Sequence, residues 1–357
     1  MKKSSKKYSI FYILFFFILG WLNPLSAQTN FWQAVAPPLG GNIKNFVFNQ
    51  SNYIYAGVES KGIFRSSDRG KNWQLLGLNN ITVTGIYINQ TGDQIIIGSD
   101  KSGLFRSTDN GDSWLLINSE LSNYKINCIE FYNNRLLIGT SEGLFSCNSS
   151  GGGLTRINFN SDMSEVRSIK ILTPDEYIIA TSSGVYRIIY ENQFSLYSDG
   201  IENRNIYFLY VSEYYEIFCG SDDGIYKLNR QTNSWIRFSA VNQLSNVRTI
   251  LFTQDRKIYA GDSSKIYLSS DTGKTFSPVL VLNSPVNQLG MDKFTNIYAA
   301  SATGFFVLQS SNWTKTGIPQ CMVINTIQSD VEGNVYAAST DGLFKADKEG
   351  KNWQQLT

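Results

Sequence analysis

Histidine is absent from the 357-residue chain. That absence excludes Ser-His-Asp and Cys-His nucleophilic catalysis, histidine-ligated metals and an imidazole base together. Cysteine is scarce: Cys128, Cys147, Cys219 and Cys321 lie far apart and show no Cys-x-x-Cys spacing. A zinc site therefore has no support, and no metal or other cofactor is expected. Each cysteine falls in a strand-like segment, so buried thiols acting as small hydrophobes are expected. Proline numbers only 7 against 29 glycines, and charged residues make up 17% of the chain, which is not the composition of a disordered protein. What the chain has in quantity is aromatic side chains: 20 Tyr, 22 Phe and 7 Trp, suited to strands and a sizeable core.

The only long apolar run is at the start. Lys2, Lys3, Lys6 and Lys7 precede Ile10–Leu22, and Leu25-Ser26-Ala27 offers small residues for cleavage before Gln28. This reads as a signal peptide over residues 1–27, too short in its apolar part to span a bilayer comfortably. A secreted or periplasmic location follows, with no transmembrane segment in the mature chain. The four lysines account for the excess of base: the mature chain keeps 27 bases against 29 acids, so its net charge is −2. No field strong enough to favour nucleic acid remains.

Internal repetition decides the fold class. An aromatic residue after a short glycine-led motif recurs at Phe64, Phe105, Phe145, Tyr186, Tyr226, Tyr267, Phe306 and Phe344, at intervals of 38–41 residues. An Ile or Val opening an alternating segment recurs in step at Ile43, Val83, Ile126, Val166, Ile206, Val247, Val286 and Ile324. Each unit reads as four short strands, a to d, separated by turn residues. In the second unit these are Val83–Ile88, Gln94–Gly98, Gly103–Arg106 and a strand from Trp114. Four short strands per forty residues are the mark of a propeller blade. Eight units predict an all-β, single eight-bladed propeller over residues 28–357. Phe31-Trp32-Gln33-Ala34-Val35 resembles the d-strand openings at Trp73 and Trp353, so a d-like strand at each end is expected to help close the ring.

The c–d links carry the most specific motif, Ser-x-Asp-x-Gly-x-x-aromatic. It stands as Ser66, Asp68, Gly70 and Trp73, as Ser107, Asp109, Gly111 and Trp114, and as Ser269, Asp271, Gly273 and Phe276. The third, fifth, seventh and eighth units keep it loosely. Its oxygens suit turn N–H groups, its glycine suits positive φ, and its ring suits a blade interface. Every role is structural. On this motif the chain resembles the Asp-box, or BNR-repeat, propellers: sialidases, xyloglucan-degrading enzymes, sortilin and the photosystem II assembly and stability factors. The unit running from Ile324 to Phe344 also resembles the sensor propellers of two-component regulators.

The resemblance implies either an enzyme or a binding module. Sialidases carry an Arg-Ile-Pro motif and six blades; the nearest match here, Arg156-Ile157-Asn158, lacks the proline and comes late. A glycosidase using two carboxylates is the alternative, with candidates on the b–c turns at Glu59, Asp100, Glu142, Asp222, Asp223, Asp262 and Asp341. Such turn carboxylates are usually bonded to their own turn. The residue after each Ile/Val landmark is Lys44, Thr84, Asn127, Arg167, Tyr207, Arg248, Asn287 or Asn325. In a ring these positions gather at the channel mouth, opposite the Asp-boxes, where they form a candidate ligand site. Lining a water-filled channel would require the same composition. The expectation is a secreted, monomeric, non-enzymatic module that binds a protein or glycan, with three bases favouring an acidic partner.

Overall fold

A computed structural model describes residues 41–357, apart from 90–91, 160–163, 191–192, 203, 213, 239–243, 310, 317–323, 331–334, 340–341, 347–353 and 356–357. The signal segment, Phe31–Val35 and Cys321 lie outside the described residues. All eight units form four-stranded antiparallel sheets with strand order a-b-c-d. In the first these are Ile43–Phe48, Ile54–Val58, Gly62–Ser66 and Gln74–Leu75.

Burial explains the strand sequences. Strand b of the first blade is buried at every residue, as is Ile95–Ser99 in the second, because neighbouring blades cover both faces of the sheet. A strand covered on both faces needs continuous apolar or small residues rather than alternation. Strand a buries its landmark and the residue three further on, as Ile43 and Phe46 show, and leaves its other side chains half-buried. Strand d lies outermost and is exposed, for example at Leu115 and Leu116.

Residues Pro38–Cys321 form one compact unit holding seven of the sheets. Strand a of each blade packs on strand a of the next, and that of the seventh, Val286–Met291, packs on Ile43–Phe48 of the first. The ring is therefore closed by seven blades, which corrects the eight-bladed ring expected from the repeat count. The physical reason lies in the seventh-to-first interface. Ile43, Phe46, Phe64 and Trp73 share one buried cluster with Tyr298, Ala300, Phe305 and Val307. Asn52 Nδ2 donates to Asp292 Oδ2 across the same interface at 3.1 Å. Both apolar faces are thus already covered. A repeat count gives the number of blade-like sheets, whereas the ring count depends on which pair of faces meet.

The eighth sheet belongs to a second compact unit, Met1–Pro37 with Met322–Thr357. Its strands are Ile324–Ser329, Val335–Ser339, Gly342–Ala346 and Gln354–Gln355, paired antiparallel in that order.

The thiols are as burial predicts. Cys147 and Cys219 are buried and Cys128 is half-buried, and all three are free. Burial pushes the Cys128 thiol up to about 12 and the Cys147 thiol up to about 11, so neither supplies a thiolate near neutrality. No helix among the described residues is long and apolar enough to cross a membrane.

Candidate functional site

The strand-a residues first serve as staples between blades. Thr84 Oγ1 donates to Ile126 O at 2.6 Å, and Asn127 Nδ2 to Val166 O at 3.0 Å. Arg167 Nη1 reaches Ile206 O at 3.4 Å, and the Tyr207 hydroxyl reaches Asn246 Oδ1 at 3.0 Å. In the seventh blade Asn287 Nδ2 donates to Ile43 O at 2.6 Å. Each side chain thus reaches the backbone or loop at the landmark of the next blade, and the last one closes the circle. A second set uses the following residue: Ser168 Oγ accepts from Leu209 N, Thr249 Oγ1 from Leu289 N, and Gln288 Oε1 from Phe46 N. Gln288 Nε2 also donates to Phe46 O at 2.9 Å. Sequence reasoning missed this second set, although a polar residue two places after the landmark is its visible signal.

The remaining strand-a positions fall into two groups. At the closure, Lys44 pairs with Glu59 at 3.2 Å, Glu59 accepts from Asn42, and Asn42 accepts from Asn287. Between the third and sixth blades, Glu165 accepts from Asn127 at 3.1 Å and from Arg167 at 2.9 Å. The Arg167 and Arg248 guanidiniums both lie over the Tyr207 ring, at 5.2 and 5.5 Å from its centroid. Asn325 lies on the eighth sheet, outside the seven-bladed ring; its side chain is outside the described residues.

Arg167 and Arg248 differ in one respect. Glu165 balances the Arg167 charge, but none of the described residues forms an ion pair with Arg248. Its Nε is buried and lacks a hydrogen-bond acceptor. A buried donor left unmet costs free energy, and a guanidinium is the donor best shaped to meet a carboxylate. Asp222 Oδ1, on the b–c turn of the fifth blade, is likewise buried and unpaired. Asp222 O accepts from Asn246 N, and Asn246 in turn holds the Tyr207 hydroxyl. Around Tyr207 the fifth and sixth blades therefore bring together a donor and an acceptor that are unmet among the described residues and an aromatic face.

Of the other b–c carboxylates, Glu59, Asp223 and Asp262 are engaged. Asp262 Oδ1 accepts from Ser264 N and Lys265 N, both at 2.7 Å, within its own turn. Asp223 pairs with Arg237 at 2.8 Å and Arg204 at 3.1 Å. Burial works against its ionisation, but hydrogen bonds from Ser221, Tyr226 and Arg237 prevail and hold its carboxyl below the usual range. A general acid needs the opposite shift. Asp341 lies outside the described residues. Arg156, of the sialidase-like tripeptide, lies over the Phe145 ring and donates to Glu142 O. No group of three or more His, Cys, Asp or Glu among the described residues could hold a metal ion.

The Asp-boxes occupy the opposite end of the strands. Ser66 Oγ donates to Asp68 Oδ1 at 2.9 Å and accepts from Gly70 N at 2.8 Å, while Asp68 Oδ1 accepts from Asn72 N at 2.8 Å. The same bonds join Ser107, Asp109, Gly111 and Ser113, and Ser269, Asp271, Gly273 and Thr275. In the third blade, Asn148 Oδ1 receives Ser150 N and Gly152 N, so an amide does the work of the missing carboxylate. Hydrogen bonds from Ser113 and Ser107 hold Asp109 down at about 2, and those from Thr275 and Ser269 do the same for Asp271. A depressed folded-state pKa means that the stabilisation is present above the unfolded value near 3.9 and is lost as pH falls toward 2. Melting temperature is thus expected to drop between pH ~4 and ~2. The Asp109→Asn/Asp271→Asn variant should start lower at neutral pH and show a flatter drop. Parallel curves for the two proteins would contradict this role.

The family model for the BNR-Asp box repeat matches residues 63–75, covering the first box. No curated protein matches the sequence. Among solved structures, the GH74 enzyme of Niastella koreensis aligns with a TM-score of 0.70 at 13% identity, over 90% of this chain and 67% of that one. The chain spans 55% of an ancestral GH74 enzyme. YCF48 from Cyanidioschyzon merolae aligns with a TM-score of 0.62 at 15% identity, over 76% of this chain and 96% of that one. YCF48 bound to D1 peptide aligns at 0.60 and 14% identity, over 78% and 95%. At such identities the likeness is one of fold. The chain carries a BNR-Asp box repeat on an all-β propeller of four-stranded blades, similar in fold to both hydrolytic and peptide-binding propellers.

Proposed function

We propose that this chain is an exported, monomeric, non-enzymatic binding module, whose channel mouth receives an anionic group of a protein or glycan partner. The observation that carries the reading is Arg248: a guanidinium over Tyr207 with a buried, unmet donor and no counter-charge among the described residues. Arg167, over the same ring and already balanced by Glu165, positions the aromatic face rather than competing for the ligand. A carboxylate or sulfate would complete Arg248, and Tyr207 offers a surface for a sugar or peptide plane. The peptide complex of YCF48 supports the reading to the extent that a propeller of this fold holds a peptide.

The test is binding by the mature protein, cleaved before Gln28, against an acidic-peptide library and a glycan array. Arg248→Ala should weaken the best hit at least tenfold, about 1.4 kcal/mol, with an unchanged melting temperature. Unaltered affinity would move the site away from the channel mouth. Turnover of glycosidase substrates that disappears in Asp222→Asn would identify a hydrolase instead.

A further inference from the structure

On the face that carries the Asp-boxes, away from the channel mouth, the fifth blade departs from the repeat. Its c–d link holds no Ser-x-Asp box: Asn229 pairs with Ser234, and Arg230 stands exposed on the turn between them. Its a–b turn carries Tyr214 and Tyr215, 82% and 68% exposed. Both tyrosines line one groove of about 570 Å³ together with Arg230 and the exposed Ile236 of strand d. Large apolar side chains gathered at the surface gain nothing for the core and mark a place of contact.

That groove runs into a second, of about 450 Å³, between the fifth and sixth blades; the two share Tyr214, Glu216, Lys227 and Phe238. The second groove has an aromatic floor. Tyr210 stacks on Phe252 with centroids 5.1 Å apart and planes 20° apart. The buried Phe218 lies 4.7 Å from Phe252 and 5.0 Å from Phe238. Tyr210, Phe238 and Phe252 are only half-buried, so this pit leaves ring surface open to water. Arg256, on the a–b turn of the sixth blade, stands exposed in its lining.

Most charges along the two grooves are paired. Glu216 holds Lys227, Asp223 holds Arg237, and Asp255, next to Arg256, is taken up by Lys257. None of the described residues forms an ion pair with Arg230 or Arg256. Each groove therefore keeps one guanidinium in excess. Guanidiniums call for carboxylates, and the pit calls for an apolar group. A sugar acid satisfies the first demand, but its ring carries hydroxyls that would lose water against Phe218, Phe238 and Phe252. An acidic peptide with one large apolar side chain satisfies both. Tyr and Arg are also the residues that carry most of the energy of protein interfaces, where an anchor side chain fills a pocket. We propose that these grooves dock an extended acidic segment of a partner protein. One apolar side chain enters the pit between Tyr210, Phe238 and Phe252, and flanking carboxylates meet Arg230 and Arg256.

The experiment uses the full mature chain and short peptides of Asp and Glu with a single central Phe, Leu, Trp or Ser. Each is titrated against the native chain and against Arg248→Ala, so that binding at the channel mouth is separated from binding here. At least one peptide with an apolar centre is expected to bind Arg248→Ala with submillimolar affinity, at least tenfold tighter than the Ser-centred one. Arg230→Gln/Arg256→Gln, two changes on the surface, should weaken that binding at least tenfold with an unchanged melting temperature. With benzoylphenylalanine as the central residue, photo-cross-links should fall in 210–216, 236–238 or 252–256. The inference is overturned if the apolar centre gives no advantage, if binding is indifferent to Arg230 and Arg256, or if the cross-links lie at the channel mouth. Hexagalacturonate that binds more tightly than every peptide, with the same dependence on the two arginines, would overturn the choice of a protein partner.

Discussion

Trp73→Ala is expected to lower the unfolding free energy by about 3–5 kcal/mol, the range for truncating a large buried aromatic. Trp73 is 9% exposed and meets Phe305 of the seventh blade edge-on, with centroids 5.2 Å apart and planes at 81°. Phe305 in turn meets Phe46 at 5.0 Å, so the indole supports the chain of rings that closes the propeller. Its Nε1 bond to Gly70 O would be lost as well. Asp68→Ala removes only turn hydrogen bonds from a partly exposed site and should cost less, on the order of 1 kcal/mol. Denaturant melts of the two variants give the comparison. A larger loss for Asp68→Ala would mean that the box does more than fasten a turn.

Gly98→Ala should destabilise by about 1–3 kcal/mol, and for the opposite reason: a methyl group too many. A Cβ at Gly98 would stand 2.3 Å from Ile126 Cγ2 and 2.8 Å from Ile126 Cβ, in the third blade. Neither atom is the far end of a flexible chain, so strands or blades must separate. The same contact recurs as Gly57 against Val83, Gly139 against Val166 and Gly261 against Val286. The fourth and seventh blades carry Ala180 and Ala300 at this place, each buried in a cluster with the next landmark, Ile206 or Ile43. Those two interfaces are therefore spaced for a methyl group already. Trimming the facing residue should relieve the strain, so Gly98→Ala/Ile126→Ala is expected to cost less than the sum of its single changes. Strict additivity in the melts would show that the clash is not what destabilises Gly98→Ala.

The blade-level fold was legible because each strand sets its own requirement on sequence. Strand b is covered on both faces and reads as a run such as Ile95-Ile96-Ile97. The c–d turn needs Ser, Asp and Gly at fixed offsets, and those residues show their bonds in advance. The number of blades in the ring was not legible in the same way. Eight repeats look alike as sheets, and the difference is made by Phe46, Trp73 and Gln288 at one interface, 242 residues apart in the case of Gln288 and Phe46. The candidate site was half legible. Strand-a residues do reach from blade to blade, yet the spacing that finds them does not reveal that Asn127 and Asn287 are occupied as staples. Nor does it show that Glu165, outside the pattern, neutralises Arg167, while Arg248 has no ion-pair partner among the described residues. The tyrosines at 214 and 215 follow no repeat at all, so only exposure in the folded chain distinguishes them from core aromatics.

Closure by seven blades is the claim on which the rest depends, and a cross-link tests it most directly. In the seven-bladed ring Asn42 and Asn287 are in side-chain contact at 3.1 Å. In a ring of eight, the repeat unit would bring position 325 to Asn42 in place of position 287. The variants Asn42→Cys/Asn287→Cys and Asn42→Cys/Asn325→Cys, each with Cys321→Ser, would be treated with a short bis-maleimide and digested for mass spectrometry. Cys128, Cys147 and Cys219 compete poorly, since burial raises all three thiols. The account predicts rapid linkage of 42 to 287 in the native protein, abolished by denaturant before treatment. Linkage of 42 to 325 with none to 287 would contradict it.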